Sequence, residues 1–454
     1  MIFSQLLFGL SSLVLASIGT RLLMLDRLSA VVHIALAGYG ALAVAEGTTL
    51  ASEFGMQAYQ EAAAIFLVGS TVLALASALC NLTLRTRPLG ASSWDRRDLE
   101  RHAFVSGAAA ILALALLLVS RDDVLANWSE ARFDAGPTTT LGTFLLLLAC
   151  PGIVSALFAR RRMLAACMGG VCLAGFVISG SRATLLAAVG LAMWLSVSRA
   201  SGRWRKASLL FVATLIGLGA HVAMRQLRGL GLGGILDAYQ SGDLLSALLF
   251  SEATADVSGG EAAIPRYFVF ATQVSSAHDF GFLTSVVRLL LLPLPRVEGL
   301  IDKPIDVTYL LWERALLSGV FSDAVGQQTL VESYLTGSLG SLHGTVFGEY
   351  FLAGGWSALV LSSFVLALIL SGIDWALGRS KRVTALAMAG PMLVGFLFVA
   401  RGNSVIGLGY FFYLGVLFLI LNAVLGGVRW RRAFWGSASR FNSRRTQIEG
   451  ARAR

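Results

Sequence analysis

Apolar runs of membrane-crossing length fill most of this chain, and short polar stretches punctuate them. Eleven runs stand out, with cores near 2–20, 28–46, 62–82, 103–119, 138–159, 163–179, 183–198, 207–223, 347–371, 384–400 and 404–426. Each is about the 17 to 25 residues needed to cross a hydrocarbon layer. The pattern predicts an all-α polytopic membrane protein with about eleven transmembrane helices, within a span of roughly ten to fourteen. The first run reads as a span and not as a cleavable signal peptide, because it has no early positive charge. The spans are interrupted once at length, between Met224 and Thr345. The chain therefore divides into N-terminal transmembrane helices (1–223), one large loop (224–345), C-terminal transmembrane helices (346–428) and a basic tail (429–454).

Composition agrees with this division. The 454 residues are 56% hydrophobic and only 14% charged, against about 25% charged in an average soluble chain. The formal net charge of +10 is not the footprint of a nucleic-acid binder, because the basic residues fall in clusters between spans. Alternate connections together with the tail hold 25 of the 36 Lys and Arg, and the other side holds 11. The positive-inside rule puts the richer side in the cytoplasm. The large loop then lies outside, on the extracytoplasmic face, and the tail lies inside. The four cysteines all fall in apolar segments, so no disulfide or zinc pattern supports the loop.

Within the loop, Arg228–Gly234 reads RGLGLGG, a flexible exit that matches no phosphate-loop spacing. Leu244–Phe250 suits a turn or two of interfacial helix. Ser285–Leu294 is apolar, too short to span, and ended by Pro293 and Pro295. Such an element is interfacial or re-entrant. The loop is accordingly expected to be partly membrane-embedded and not an independent soluble domain.

Basic residues are scarce on the outer side, which makes each one informative. Arg266, Arg288, Arg296 and Lys303 follow one another beside apolar residues. Guanidinium groups bind phosphate oxygens bidentately and stay charged, so several together suit a diphosphate. The alternative is a set of salt bridges to Asp279, Glu298, Asp302 and Asp306. Arg182 lies between two short helices, and Arg401 lies in the tight connection ARGN. Each either faces a polar cavity or snorkels to headgroups. His343 precedes an apolar helix in SLHGTVFGEYFLAGG. A neutral imidazole there can accept a hydroxyl proton, or it can be a hydrogen-bonded interfacial His. On a helix it would share a face with Phe347, with Glu349 a little further along. The outer segments lack a DxD pair and a nucleotide-binding loop, and the spans hold few ionisable residues (His33, His221, Asp374), which leaves little for an ion-coupled transporter.

The succession GSRATLL, a large external loop with an Arg, RLLLLPLPR…DKP, LHGTVFGEYFLAGGW and finally RGN resembles the bacterial oligosaccharide repeat-unit polymerases of the Wzy (O-antigen) type, from about Ser179 to Tyr413. The segment from His343 through Phe347 to Gly354 also resembles O-antigen ligases. Those tend to carry Asn after the His, where this chain has Gly344. The resemblance implies a C-type glycosyltransferase-like fold and metal-independent transfer with no cofactor. Donor and acceptor would be oligosaccharides on undecaprenyl diphosphate, held in the lipid bilayer. It further implies a chain-length regulator and a flippase as partners, and no nucleic acid. By this analogy His343 is the general base and Glu349 an acceptor-side or supporting residue. Arg266 and Arg288 then bind the diphosphate, with Arg182, Arg296, Arg401 and Lys303 next to them. A ligase and, in a different class, a lipid-linked oligosaccharide flippase are the competing readings.

The orientation has a direct check. In a cysteine-free background, Ser258→Cys should react with a membrane-impermeant maleimide added to intact spheroplasts. Ser437→Cys should react only after the membrane is opened. The reverse pattern would invert the topology.

Overall fold

A computed structural model describes residues 1–25, 27–83, 96–119, 137–179, 237–243, 264–274, 343–379, 382–404 and 407–409, with a few isolated positions besides. Every regular element among these residues is an α-helix. In chain order they are α1 (Ile2–Met24), α2 (Ala30–Ala45), α3 (Gly47–Phe54), α4 (Met56–Thr83), α5 (Arg96–Val119), α6 (Pro137–Phe158), α7 (Arg162–Ser179), α8 (Ile264–Val274), α9 (Thr345–Arg379) and α10 (Arg382–Arg401). Five described helices are long and apolar enough to cross a membrane, or six if α2 and α3 form one bent span. The protein is a polytopic, membrane-embedded helical bundle on these grounds. The expected spans at 2–20, 28–46, 62–82, 103–119, 138–159, 163–179, 347–371 and 384–400 each coincide with a helix. Those at 183–198, 207–223 and 404–426 lie outside the described residues except for single positions.

The outward faces are apolar, as lipid contact requires. Phe3, Leu6, Leu10 and Leu13 on α1 and Leu75, Leu79 and Leu82 on α4 are all exposed. Inward faces mix large rings with small residues. Phe8, Tyr59, Phe66, Phe268 and Phe347 are fully buried. Phe66 stacks edge-on against Phe347, centroids 5.3 Å apart, and against Phe268 at 5.8 Å. Phe347 has room because Gly69 faces it: a Cβ there would lie 2.5 Å from the ring. In lipid, where apolar surfaces gain little by leaving the solvent, such close small-against-large packing carries much of helix association. A second group, α5 with α6 and α7, repeats the device, with Gly142 against Leu117 and Gly175 against Leu146. A buried polar pair lies in this group: His102 Nδ1 is 2.7 Å from Ser155 Oγ. Helix α10 touches both groups.

The first group is clasped at one end by a carboxylate. Asp374, near the end of α9, is buried. It accepts the backbone N–H groups of Leu28 at 3.0 Å and Ser29 at 3.3 Å, and the Ser29 hydroxyl. These are the residues that lead into α2, whose first N–H groups have no partner within the helix. Asp374 thus caps the start of α2 from a distant helix, with the Arg27 charge close by. His33, one turn into α2, donates its Nδ1–H to Ser29 O, and its Nε2 pairs with Ser77 Oγ, both at 3.1 Å, which extends the polar tie to α4.

Asp374→Ala should lower the thermal midpoint of the detergent-purified protein, at a cost of about 2–4 kcal/mol, because three donors lose their acceptor and the Arg27 cation loses a nearby opposite charge. Asp374→Asn should lose less. Fluorescence-detected unfolding of both variants checks the order.

Candidate functional site

The polar residues of interest gather at the opposite end of α9 from Asp374. Arg266 lies near the start of helix α8 (Ile264–Val274). This helix packs against α2, α3, α4 and the start of α9. Ile264, Phe268, Val269, Phe270 and Ala271 are all buried. This segment is therefore set into the helix bundle. Its junction with α9 is tight. A Cβ on Gly344 would lie 3.0 Å from the Tyr267 carbonyl oxygen, and one on Gly348 would lie 3.0 Å from the Phe268 ring.

His343 and Gly344 precede α9 and are not helical. Thr345 has φ +60, an uncommon conformation for a β-branched residue. Its Oγ1 accepts the Gly348 N–H at 3.4 Å, in the manner of an N-cap. The expectation that His343 and Phe347 share a helix face is thereby corrected, because the backbone turns between them. Nine residues beyond Thr345, α9 breaks at Gly354 and Gly355, the latter with φ +64.

Helix α10 ends beside this turn. Gly402 N–H bonds to Val399 O at 3.1 Å and Asn403 N–H to Phe398 O at 3.0 Å, with φ +94 at Gly402. This is a Schellman termination, which favours Gly at that position. Gly402 is constrained twice, since a Cβ would also collide with the Thr345 carbonyl. The following Ser404 N–H is accepted by the buried carboxylate of Glu349 at 2.9 Å, and the Ser404 hydroxyl donates to Tyr350 OH at 3.4 Å. Glu349 thus ties α9 to the turn after Arg401. The Arg401 guanidinium lies 5.9 Å from the Phe398 ring centroid and is near enough to His343 for its charge to act there.

Arg266, near the N-terminal end of α8, is paired. Its Nε donates to Glu53 Oε1 at 2.6 Å, and its terminal nitrogen donates to the same oxygen. Its charge also reaches Glu46, at the break between α2 and α3. Gln273 Nε2 donates to Phe54 O at 2.8 Å, so α3 and α8 are joined at both ends of α8. Burial pushes the Tyr267 phenol up from its usual range, and the Arg266 charge opposes this in part.

The structure therefore brings Arg266, His343, Glu349 and Arg401 to one end of the bundle. Arg288 is half-buried on a helical stretch at 287–288 and 290–291. Arg182, Arg296 and Lys303 lie outside the described residues, as do Leu244–Phe250 and the four loop acids weighed as ion-pair partners. Sequence reasoning missed Glu46 and Glu53, whose only signal was two acids within eight positions on the low-charge side. It also missed Ser404 and Tyr350. Among the described residues no three His, Cys, Asp or Glu side chains gather as metal ligands would. Comparison with protein-family models, curated proteins and solved structures gave no match.

His343 is lowered to a pKa of about 3, first by burial and then by the Arg401 charge. The folded protein therefore keeps it neutral, while the unfolded chain takes up a proton below its ordinary value near 6.5. His343 contributes to acid destabilisation as pH falls through 6.5 towards 3, and not above that range. Its ring-nitrogen NMR shifts should remain those of a neutral imidazole at pH 5. Arg401→Gln should raise the midpoint only partly, because burial remains.

Proposed function

We propose that the protein polymerises undecaprenyl-diphosphate-linked oligosaccharide repeat units into O-antigen or a related surface polysaccharide, by metal-independent glycosyl transfer on the periplasmic face of the bacterial inner membrane. The observation that carries this reading is the insertion of the Arg266-bearing loop helix into an apolar bundle, at the end where His343 and Arg401 also lie. A lipid-linked diphosphate needs both parts: cations for its head and apolar helix faces for its prenyl chain.

In this reading the acceptor sugar hydroxyl attacks the anomeric carbon of the donor. A C–O bond forms to the acceptor oxygen, and the bond to the diphosphate oxygen breaks. The electron pair leaves with undecaprenyl diphosphate, whose charge Arg266 and Arg401 stabilise, with Arg288, Arg296, Arg182 and Lys303 as further ligands. His343 takes the hydroxyl proton. A base of pKa about 3 is weak. A bound diphosphate would offset the Arg401 charge, raise the imidazole towards its ordinary value and strengthen the base when substrate is present. Glu349 keeps the Arg401 turn in place through Ser404.

A flippase is the second reading, favoured by the two interrupted helices: the 71° bend between α2 and α3 and the glycine break in α9. Transporters place broken helices at their substrate sites. A ligase would share the polymerase chemistry and differ in acceptor.

Protein in nanodiscs, given an undecaprenyl-diphosphate-linked repeat unit with EDTA and no nucleotide, should produce a ladder of longer glycans. His343→Ala should slow the ladder by roughly 100-fold or more, and Arg266→Ala should weaken it as well. Transfer to lipid A core alone would make the protein a ligase. Translocation without any transfer would make it a flippase.

A further inference from the structure

Two carboxylates face one guanidinium near the N-terminal end of α8. Glu53 holds Arg266 through two nitrogens on one oxygen, and Glu46 lies within reach of the same charge. Both members of the pair are partly open to solvent, at 30% for Arg266 and 24% for Glu53. Helix α3 does not depend on the pair for its position, because Leu50 and Phe54 are buried and Gln273 holds the Phe54 carbonyl. The Glu53 side chain can leave Arg266 while α3 stays in place.

This matters because of where Arg266 would sit. A membrane surface presents phosphodiester headgroups, each with one negative charge, at very high local concentration. An unguarded arginine beside it would be occupied by them. A carboxylate of equal charge, held on the same scaffold, competes effectively against a monoanion. A diphosphate carrying two or three charges offers more oxygens and a stronger field to the guanidinium fork, and can displace the carboxylate. We infer that Glu53 is a specificity-determining residue: the resting counter-ion of Arg266, which excludes singly charged phospholipid headgroups and yields to a diphosphate. Selection here rests on a built-in competitor. The inference rests on the reading of Arg266 as a diphosphate ligand.

Inorganic pyrophosphate is the probe, titrated calorimetrically against the full chain in nanodiscs made with and without phosphatidylglycerol. In zwitterionic nanodiscs Glu53→Gln should bind pyrophosphate roughly two- to fivefold more tightly than wild type, the range for release of a solvent-exposed ion pair. Glu53→Asp should fall between. Adding phosphatidylglycerol should leave wild-type affinity nearly unchanged and reverse the gain in Glu53→Gln. Equal or weaker binding by a Glu53→Gln variant of wild-type melting temperature would overturn the inference, as would equal inhibition of both proteins by phosphatidylglycerol. If Glu53→Gln does not fold, Glu53→Asp decides by the same two comparisons. Arg266→Gln separates the levels. Loss of pyrophosphate binding in that variant, together with no effect at Glu53, refutes the guard alone. Wild-type binding by Arg266→Gln refutes the diphosphate reading beneath it.

Discussion

The site depends on the space that Gly69 leaves for Phe347. That ring is fully buried, stacks on Phe66 and is followed in the same cluster by Phe268 and Phe8. Phe347 fixes the first turn of α9, and His343 lies four residues before it. Phe268 fixes α8, and Arg266 lies two residues before that. One aromatic cluster therefore sets the placement of two groups from distant parts of the sequence. Gly344, Gly348 and Gly402 then let three backbones approach one another closely enough to complete the arrangement. A side chain at Gly344 would put its Cβ against the Tyr267 carbonyl, so the glycine follows from the packing of the loop helix.

Among the described residues, two buried carboxylates lie at opposite ends of α9. Asp374 is saturated by donors from the start of α2, and its whole coordination is spent on joining helices. Glu349 acts similarly for the turn after Arg401. Arg266 differs in being partly open to solvent, with Glu53 as an ion-pair partner and Glu46 near its charge.

The long spans were legible because twenty apolar residues in a row have few alternatives to a membrane helix. Helix α3 was not legible: GTTLASEF is eight residues, half polar, and reads as a connection. Its helical state comes from burying Gly47, Leu50 and Phe54 against neighbours that the local sequence does not reveal. The candidate basic residues were visible by their scarcity on the low-charge side of the chain. The partners of Arg266 and Glu349 were not, because Glu53 is 213 positions from Arg266 and Ser404 is 55 from Glu349. The local turn at Thr345 was equally hidden. A threonine at φ +60 follows from contact with Gly402, which a helical reading of His343–Phe347 had no means to include.

The Asp374 cap also has a consequence in time. The donors it receives, at Leu28 and Ser29, are synthesised some 346 and 345 residues ahead of it. At about 5–20 residues per second, the start of α2 waits roughly 20–70 s for its acceptor. Until then the first hairpin stands in the bilayer with its leading amides answered by water or lipid. A chain truncated before α9 keeps them that way permanently. Completion of the N-terminal hairpin therefore waits until the C-terminal helices have been made.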